Sequence, residues 1–242
     1  MQRIGMREKS IKRMDEIITL FSNLQGVLAI AAFGSNAHRE RLDDYSDLDF
    51  LIFVDEDSKA GILSQVARLE SLCSIQGLQI VYGDAVQLLF ADGVYCDFGI
   101  ITPTQLSTFP HGAGKYLWQR VDWEAVDLSA QEPAPLPEDA LIREALFHLY
   151  CGLLREARGE AAAAFYEVQV VASQRVLALL EGEGADAFSP FRRAERLLPQ
   201  GVIGELMPGY GHTREAVQAM LRHLSPAQST PLYHAVSSLL GS

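Results

Sequence analysis

Apolar residues recur at helical spacing over residues 10–23, where Ile11, Met14, Ile17, Ile18 and Phe21 share one side of a 3.6-residue repeat. Gly26 ends that pattern. Residues 27–33 (VLAIAAF) form an apolar run of buried-strand length, and Gly34-Ser35 follows directly. A second strand is predicted over 47–54 (DLDFLIFV) and a second amphipathic helix over 59–73. Strands are predicted at 78–82, 86–90 and 94–101, separated by Gly83-Asp84 and Asp92-Gly93. Such pairs between apolar runs point to hairpins, whose type I′ turns need positive φ at both central residues. From residue 138 the period is helical throughout. Long helices are predicted over 138–158 and 160–181 with Gly159 as the break, and shorter ones over 190–198, 213–224 and 231–239. Between the two regions lies 129–137 (SAQEPAPLP), whose three prolines remove backbone donors and read as a linker. The expected fold class is α+β: a small mixed-sheet domain over 1–130, then a C-terminal helical bundle over 138–242.

Composition narrows the function classes. The 242 residues are 48% hydrophobic and 21% charged, ordinary globular values. No apolar run reaches membrane-helix length, and the N-terminal MQRIGMREKSIKRMDE lacks the apolar core of a signal peptide. Cys73, Cys96 and Cys151 are odd in number and widely spaced, which argues against a disulfide framework or zinc site and for a cytoplasmic location. They read as small buried hydrophobes. A net charge of −11 disfavours nucleic acid and anionic membranes as partners and suits a cationic small molecule. A homodimer is compatible with all of this.

The stretch 31–55 (AAFGSNAHRERLDDYSDLDFLIFVD) carries the chemistry. Strand side chains alternate faces, so Asp47 and Asp49 project together, and two carboxylates ~7 Å apart along a strand make no sense in a core. A divalent cation relieves their repulsion, and oxygen ligands suit Mg²⁺, which takes one or two carboxylates plus substrate phosphates. Gly34 lets backbone approach a phosphate, while Ser35 adds a hydroxyl where a helical turn exposes N–H groups. Asp97 sits inside an otherwise apolar strand (VYCDFGII), with Tyr95 and Gly99 on its face and Cys96, Phe98 and Ile100 on the other. Burial of such a charge is costly unless it is paired or binds metal. The three carboxylates converge only if this strand neighbours the one bearing Asp47 and Asp49, which periodicity does not decide.

A Gly-Ser turn, the spacer 36–46, Asp47-x-Asp49 and the later strand carboxylate Asp97 together resemble the polymerase-β-like nucleotidyltransferase superfamily. The resemblance spans roughly residues 27–102. It is nearest to the antibiotic nucleotidyltransferases of lincosamide and aminoglycoside type, which also carry a C-terminal helical bundle. It implies a Mg²⁺-dependent enzyme, with two ions expected, moving a nucleoside monophosphate from ATP or another nucleoside triphosphate to a hydroxyl of a small acceptor and releasing pyrophosphate. By that resemblance Asp47, Asp49 and Asp97 bind metal and act in catalysis, Gly34 and Ser35 hold the triphosphate, and Asp97 takes the hydroxyl proton. Antibiotic resistance is the physiological role it points to.

Other features admit plainer readings. Residues 143–151 (REALFHLYC) resemble the first bundle helix of kanamycin-type enzymes, where a glutamate base stands at the place of His148. A satisfied or rim histidine is the commoner case. Arg143 and His148 also match the loose Arg-x4-His pattern of HEPN-type ribonucleases, though ~140° apart around one helix. The alternative function is accordingly a regulatory, HEPN-like protein of nucleotidyltransferase fold that AMPylates or binds a protein or RNA partner. Arg192, Arg193 and Arg196 cluster in a predicted helix, and Trp118, Tyr150 and Tyr166 read as packing residues.

Overall fold

A computed structural model describes residues 5–38 and 41–241. Arg39 and Glu40 of the spacer, the first four residues of the N-terminal segment and the last residue of the bundle lie outside that description. The chain divides into two compact units, Met1–Glu132 and Pro133–Ser242.

The first unit is built on a six-stranded mixed sheet, with β1 (Val27–Ala32), β2 (Leu48–Val54), β3 (Ile75–Val81), β4 (Ala85–Phe90), β5 (Tyr95–Ile101) and β6 (Lys115–Gln119). Its order is β3-β4-β5-β2-β1-β6, and β2 with β5 is a parallel pair among antiparallel ones. The alternation in the sequence separates two faces. On one face, Leu48, Phe50, Ile52, Val86, Leu88, Phe90, Cys96, Phe98 and Ile100 pack beneath α1 (Met6–Ser22) and α2 (Lys59–Ser64). Met14, Ile17 and Phe21 of α1 enter this core, as the helical spacing predicts. The opposite face carries a smaller core of Ala29, Ala31, Phe33, Phe53 and Ile101, covered by Leu106 from the segment after β5 and Leu128 from the segment after β6.

Several predicted elements differ in detail. The helix expected over 59–73 breaks after Ser64 and continues as a 3-10 turn, Val66–Ser71. Val66, Leu69 and Leu72 then recur every third residue, which suits three residues per turn and still feeds the core. The first hairpin turn lies one residue earlier than expected, with positive φ at Tyr82 (54°) and Gly83 (89°). The second is not type I′, because only Gly93 has positive φ (90°). Gly93 N–H donates to the Phe90 carbonyl and Phe90 N–H to the Val94 carbonyl, a three-residue loop closed by a left-handed glycine. Asp92 at its tip accepts from Arg13 Nη2 at 2.9 Å. That guanidinium, almost fully buried, also lies 4.2 Å from the centroid of the Phe90 ring. Helix α1 is thereby tied to the turn that launches β5. The opening of the proline-rich stretch belongs to this unit, since Gln131 and His111 exchange both backbone bonds (3.0 and 2.8 Å).

The second unit is helical. Helix α3 (Glu138–Ala157) packs along α4 (Ala161–Phe165), a π-helical segment (Tyr166–Ala172) and α5 (Ser173–Glu181). α6 (Ala194–Leu197), α7 (Val202–Leu206), α8 (Thr213–His223) and α9 (Pro231–Gly241) complete it. The predicted helix 160–181 is therefore continuous but π-helical in its middle. At Gly152 of α3 a Cβ would stand 2.3 Å from Val168 Cγ2 in the π-helical segment, so glycine is what lets the two backbones approach. The helix expected over 190–198 shrinks to one turn, because Arg193 adopts positive φ (65°) and breaks it. Cys151 is exposed rather than buried, and Tyr166 is 58% exposed rather than packed. Among the described residues no helix is long and apolar enough to cross a membrane.

Candidate active site

β1 ends at Ala32, and the chain turns sharply into a 3-10 turn, Gly34–Ala37. Asn36 and Ala37 N–H both return to the Phe33 carbonyl (3.0 and 3.3 Å). The first N–H groups of such a turn have no partner within it, which suits an anion. Two bonds fasten the turn to β2: Phe33 N–H donates to the Asp49 carbonyl at 3.0 Å, and Asn36 Nδ2 to the Asp47 carbonyl at 2.8 Å. Gly34 has φ +56°, and a Cβ placed there would lie 3.4 Å from Asp49 Oδ2. The open side of the glycine thus faces the carboxylate.

The parallel pairing of β2 with β5 settles what periodicity left open. Asp49 and Asp97 are direct cross-strand partners, as are Phe50 and Phe98 one position on. The phenyl rings stack on the opposite face, with centroids 4.6 Å apart and planes 6° from parallel. Stacked rings contribute about 0.5–1.5 kcal/mol beyond their burial, and a one-residue slip of β5 against β2 would turn Asp97 into the core and Phe98 out of it. The buried aromatic pair therefore holds the register that puts the carboxylates side by side. Parallel neighbours are ~4.8 Å apart, and two unit charges at about 5 Å repel by about 1–3 kcal/mol near a protein surface. Asp49 and Asp97 are both half-buried, while Asp47, one residue before β2, is exposed. Gly99, two residues beyond Asp97, is filled over by Leu51, whose Cδ2 stands 2.8 Å from where a Cβ would be.

Neighbouring titrations register the acids. Burial pushes the Tyr95 phenol up, and the negative charges of Asp97 and then Asp47 push it further, so both carboxylates act on one ring. Burial also pushes the Cys96 thiol up to about 12, with Arg13 partly offsetting it, which makes this cysteine an inert core residue.

Two residues absent from the sequence reading join the site. Gln87 of β4 is the cross-strand partner of Asp97 and donates Nε2 to its Oδ2 at 3.3 Å. Gln79 of β3 pairs with Gln87 and donates to its Oε1. The local signal was a single glutamine inside each apolar run (LQIVY and VQLLF), but its meaning depends on strand order. His148 lies in the second unit, where Nδ1 is 2.7 Å from Glu167 Oε2. Arg143 pairs instead with Asp139, Nη1 to Oδ2, at 3.3 Å.

The donor set near the turn fits a magnesium ion: oxygen atoms only, two carboxylates on adjacent strands, and a missing Cβ that leaves space over Asp49 Oδ2. Among the described residues no group of three or more His, Cys, Asp or Glu is arranged so that it could hold a metal ion, so further oxygen ligands would have to come from a bound nucleotide or water.

Solved structures similar to the chain include an aminoglycoside 6-adenyltransferase from Bacillus subtilis, at 15% identity and TM-score 0.35, covering 98% of this chain and 92% of that one. A nucleotidyltransferase-like protein from Exiguobacterium sibiricum matches at 12% identity and TM-score 0.38, covering 97% and 75%. A STING-associated c-di-GMP synthase from Capnocytophaga granulosa matches at 13% and 0.36, covering 97% and 78%. No curated protein matches the chain significantly. The family model described as a nucleotidyltransferase domain matches residues 14–148, more than half of the chain and inclusive of Gly34, Ser35, Asp47, Asp49 and Asp97. With that match laid over a mixed sheet whose central parallel strands present paired carboxylates beside a glycine-serine turn, the chain belongs to the nucleotidyltransferase domain family and is a transferase of nucleotidyl groups.

Proposed function

We propose that the protein moves AMP from ATP to a hydroxyl of a small molecule, with magnesium as its cofactor and pyrophosphate as the second product. The observation that carries this reading is the direct pairing of Asp49 with Asp97 under the open side of Gly34. Asp47, Asp49 and Asp97 would hold the metal only together with phosphate oxygens of the bound nucleotide, and two ions are expected. Bound there, magnesium would neutralise charge on the phosphate oxygens of an in-line displacement. Gly34 and Ser35 meet the triphosphate tail through backbone N–H groups and the serine hydroxyl. The acceptor oxygen bonds to the α-phosphorus, and the bond from that phosphorus to the β-bridging oxygen breaks. Asp97 accepts the hydroxyl proton as the new bond to phosphorus forms, since a carboxylate beside the acceptor is placed to take a proton whose acidity rises in the transition state.

The acceptor we favour is a cationic, hydroxyl-rich molecule of aminoglycoside type, to which a net charge of −11 is complementary; a lincosamide is the other antibiotic class in view. The setting is the cytoplasm, where ATP and magnesium are plentiful. Pyrophosphate release from ATP and Mg²⁺ with a panel of hydroxylated antibiotics tests the reading. Wild-type turnover with at least one acceptor, and a loss of about a hundredfold or more in Asp47→Asn and Asp97→Asn, is the expected result. Equal turnover in wild type and both variants would end the metal assignment. AMP found on a protein, with every small acceptor inert, would move the substrate class to a macromolecule.

A further inference from the structure

Across the open face of the sheet, four polar residues stand in one row on four successive strands: Gln79, Gln87, Asp97 and Asp49. Each is the direct cross-strand partner of the next, so all four share a face. Its first three members, Gln79, Gln87 and Asp97, also form a chain of hydrogen bonds with one direction. An ionised carboxylate can only accept, so the Gln87 amide must turn its Nε2 towards Asp97 Oδ2. Its Oε1 then faces the edge strand, where Gln79 Nε2 donates to it. Both amide orientations follow from the Asp97 carboxylate at the end of that chain.

We infer that Gln87 is a positioning residue for Asp97, and that Gln79 holds Gln87 in the orientation this requires. The inference rests on the reading of Asp97 as metal ligand and proton acceptor. A glutamine pair on a solvated sheet face would ordinarily swing between rotamers. Here one side chain is half-buried, and both are bridged to a charged group that cannot reverse the bond direction. The amide proton occupies Oδ2 and fixes the plane of the carboxylate, which leaves Oδ1 to take the acceptor's proton. Partners of ligating carboxylates act in this way, and losing one commonly costs 10–100-fold in metal affinity or activity.

The test uses the full chain and Mn²⁺ as the probe, followed by electron paramagnetic resonance in the presence of a nonhydrolysable ATP analogue. Gln87→Leu keeps the volume and removes the donor. It is expected to weaken Mn²⁺ binding roughly tenfold and to lower kcat for pyrophosphate release by a similar factor, with the KM for ATP within about twofold. Gln79→Leu, exposed at the sheet edge, is expected to show about a threefold effect in the same direction. Should Gln87→Leu fail to fold, Gln79→Leu alone decides. Native Mn²⁺ affinity and kcat in whichever variant folds would overturn the inference. Asp97→Asn separates the two levels. If it retains Mn²⁺ binding and turnover, the reading of the site fails and this inference with it. If it is inactive while Gln87→Leu behaves as wild type, only the positioning role is lost.

Discussion

Gly34→Ala isolates the part played by backbone at the glycine-serine turn. Two costs are separable. The first is conformational: at φ +56° a side-chain-bearing residue gives up about 1 kcal/mol relative to glycine. For a chain of 242 residues that corresponds to a melting temperature lower by about 2–4 °C. The second is local to the site, because the new methyl would sit 3.4 Å from Asp49 Oδ2. That is contact distance for the protein alone, so folding tolerates it, but it fills the space through which a phosphate would approach. Gly83→Ala supplies the control. Its φ of +89° imposes a comparable conformational cost, and among the described residues nothing lies within 4 Å of its added Cβ. Binding of a fluorescent ATP analogue in the presence of Mg²⁺ and thermal melting are measured for both. Similar melting shifts are expected in the two variants, with nucleotide affinity reduced at least tenfold in Gly34→Ala and unchanged in Gly83→Ala. Native affinity in Gly34→Ala, or equal losses in the two, would refute the idea that triphosphate approaches over this glycine.

Two further predictions concern the helical unit. Gly152→Ala gains about 1 kcal/mol of helix propensity, but its Cβ would stand 2.3 Å from Val168 Cγ2, and overpacking of that kind costs about 1–3 kcal/mol. Net destabilisation by about 1 kcal/mol is expected in urea melts, with recovery in Gly152→Ala/Val168→Ala; a more stable single variant would contradict the close approach. Glu181 has both carboxylate oxygens buried without a hydrogen-bond partner among the described residues, and burial, then Asp186 and Glu195, raise its pKa above the ordinary 4.5. A raised carboxyl pKa means the folded state holds the proton more tightly, so the penalty is absent below pH 4.5 and grows as pH rises through the raised value. Glu181→Gln should therefore stabilise the protein at pH 7, by about 0.5 kcal/mol after solvent screening, and do nothing at pH 4. An equal gain at both pH values would show that charge is not the cause.

Local sequence information determined much of this molecule. Period-two alternation in LDFLIFV and YCDFGII assigned Asp49 and Asp97 to faces opposite Phe50 and Phe98, and the 3.6-residue repeat of α1 named the side chains that enter the core. Both patterns are written within a few residues of one another, so they need no partner to be read. Gly34, Ser35 and Asp47 were singled out on the same local grounds. What tertiary structure alone decided is which strand lies beside which. The β2–β5 pairing joins residues nearly fifty positions apart, and the stacking of Phe50 on Phe98 that holds its register exists only once the sheet forms. Gln87 and Gln79 acquire a role only through that order. β6 (KYLWQ) has no strong alternation and becomes a strand because β1 offers an open edge. The π-helical stretch likewise lies hidden in a good helix sequence, beside the close approach of Val168 to Gly152. Side-chain periodicity is a property of the backbone at each residue, whereas pairing and close approach are properties of distant segments competing for the same surface.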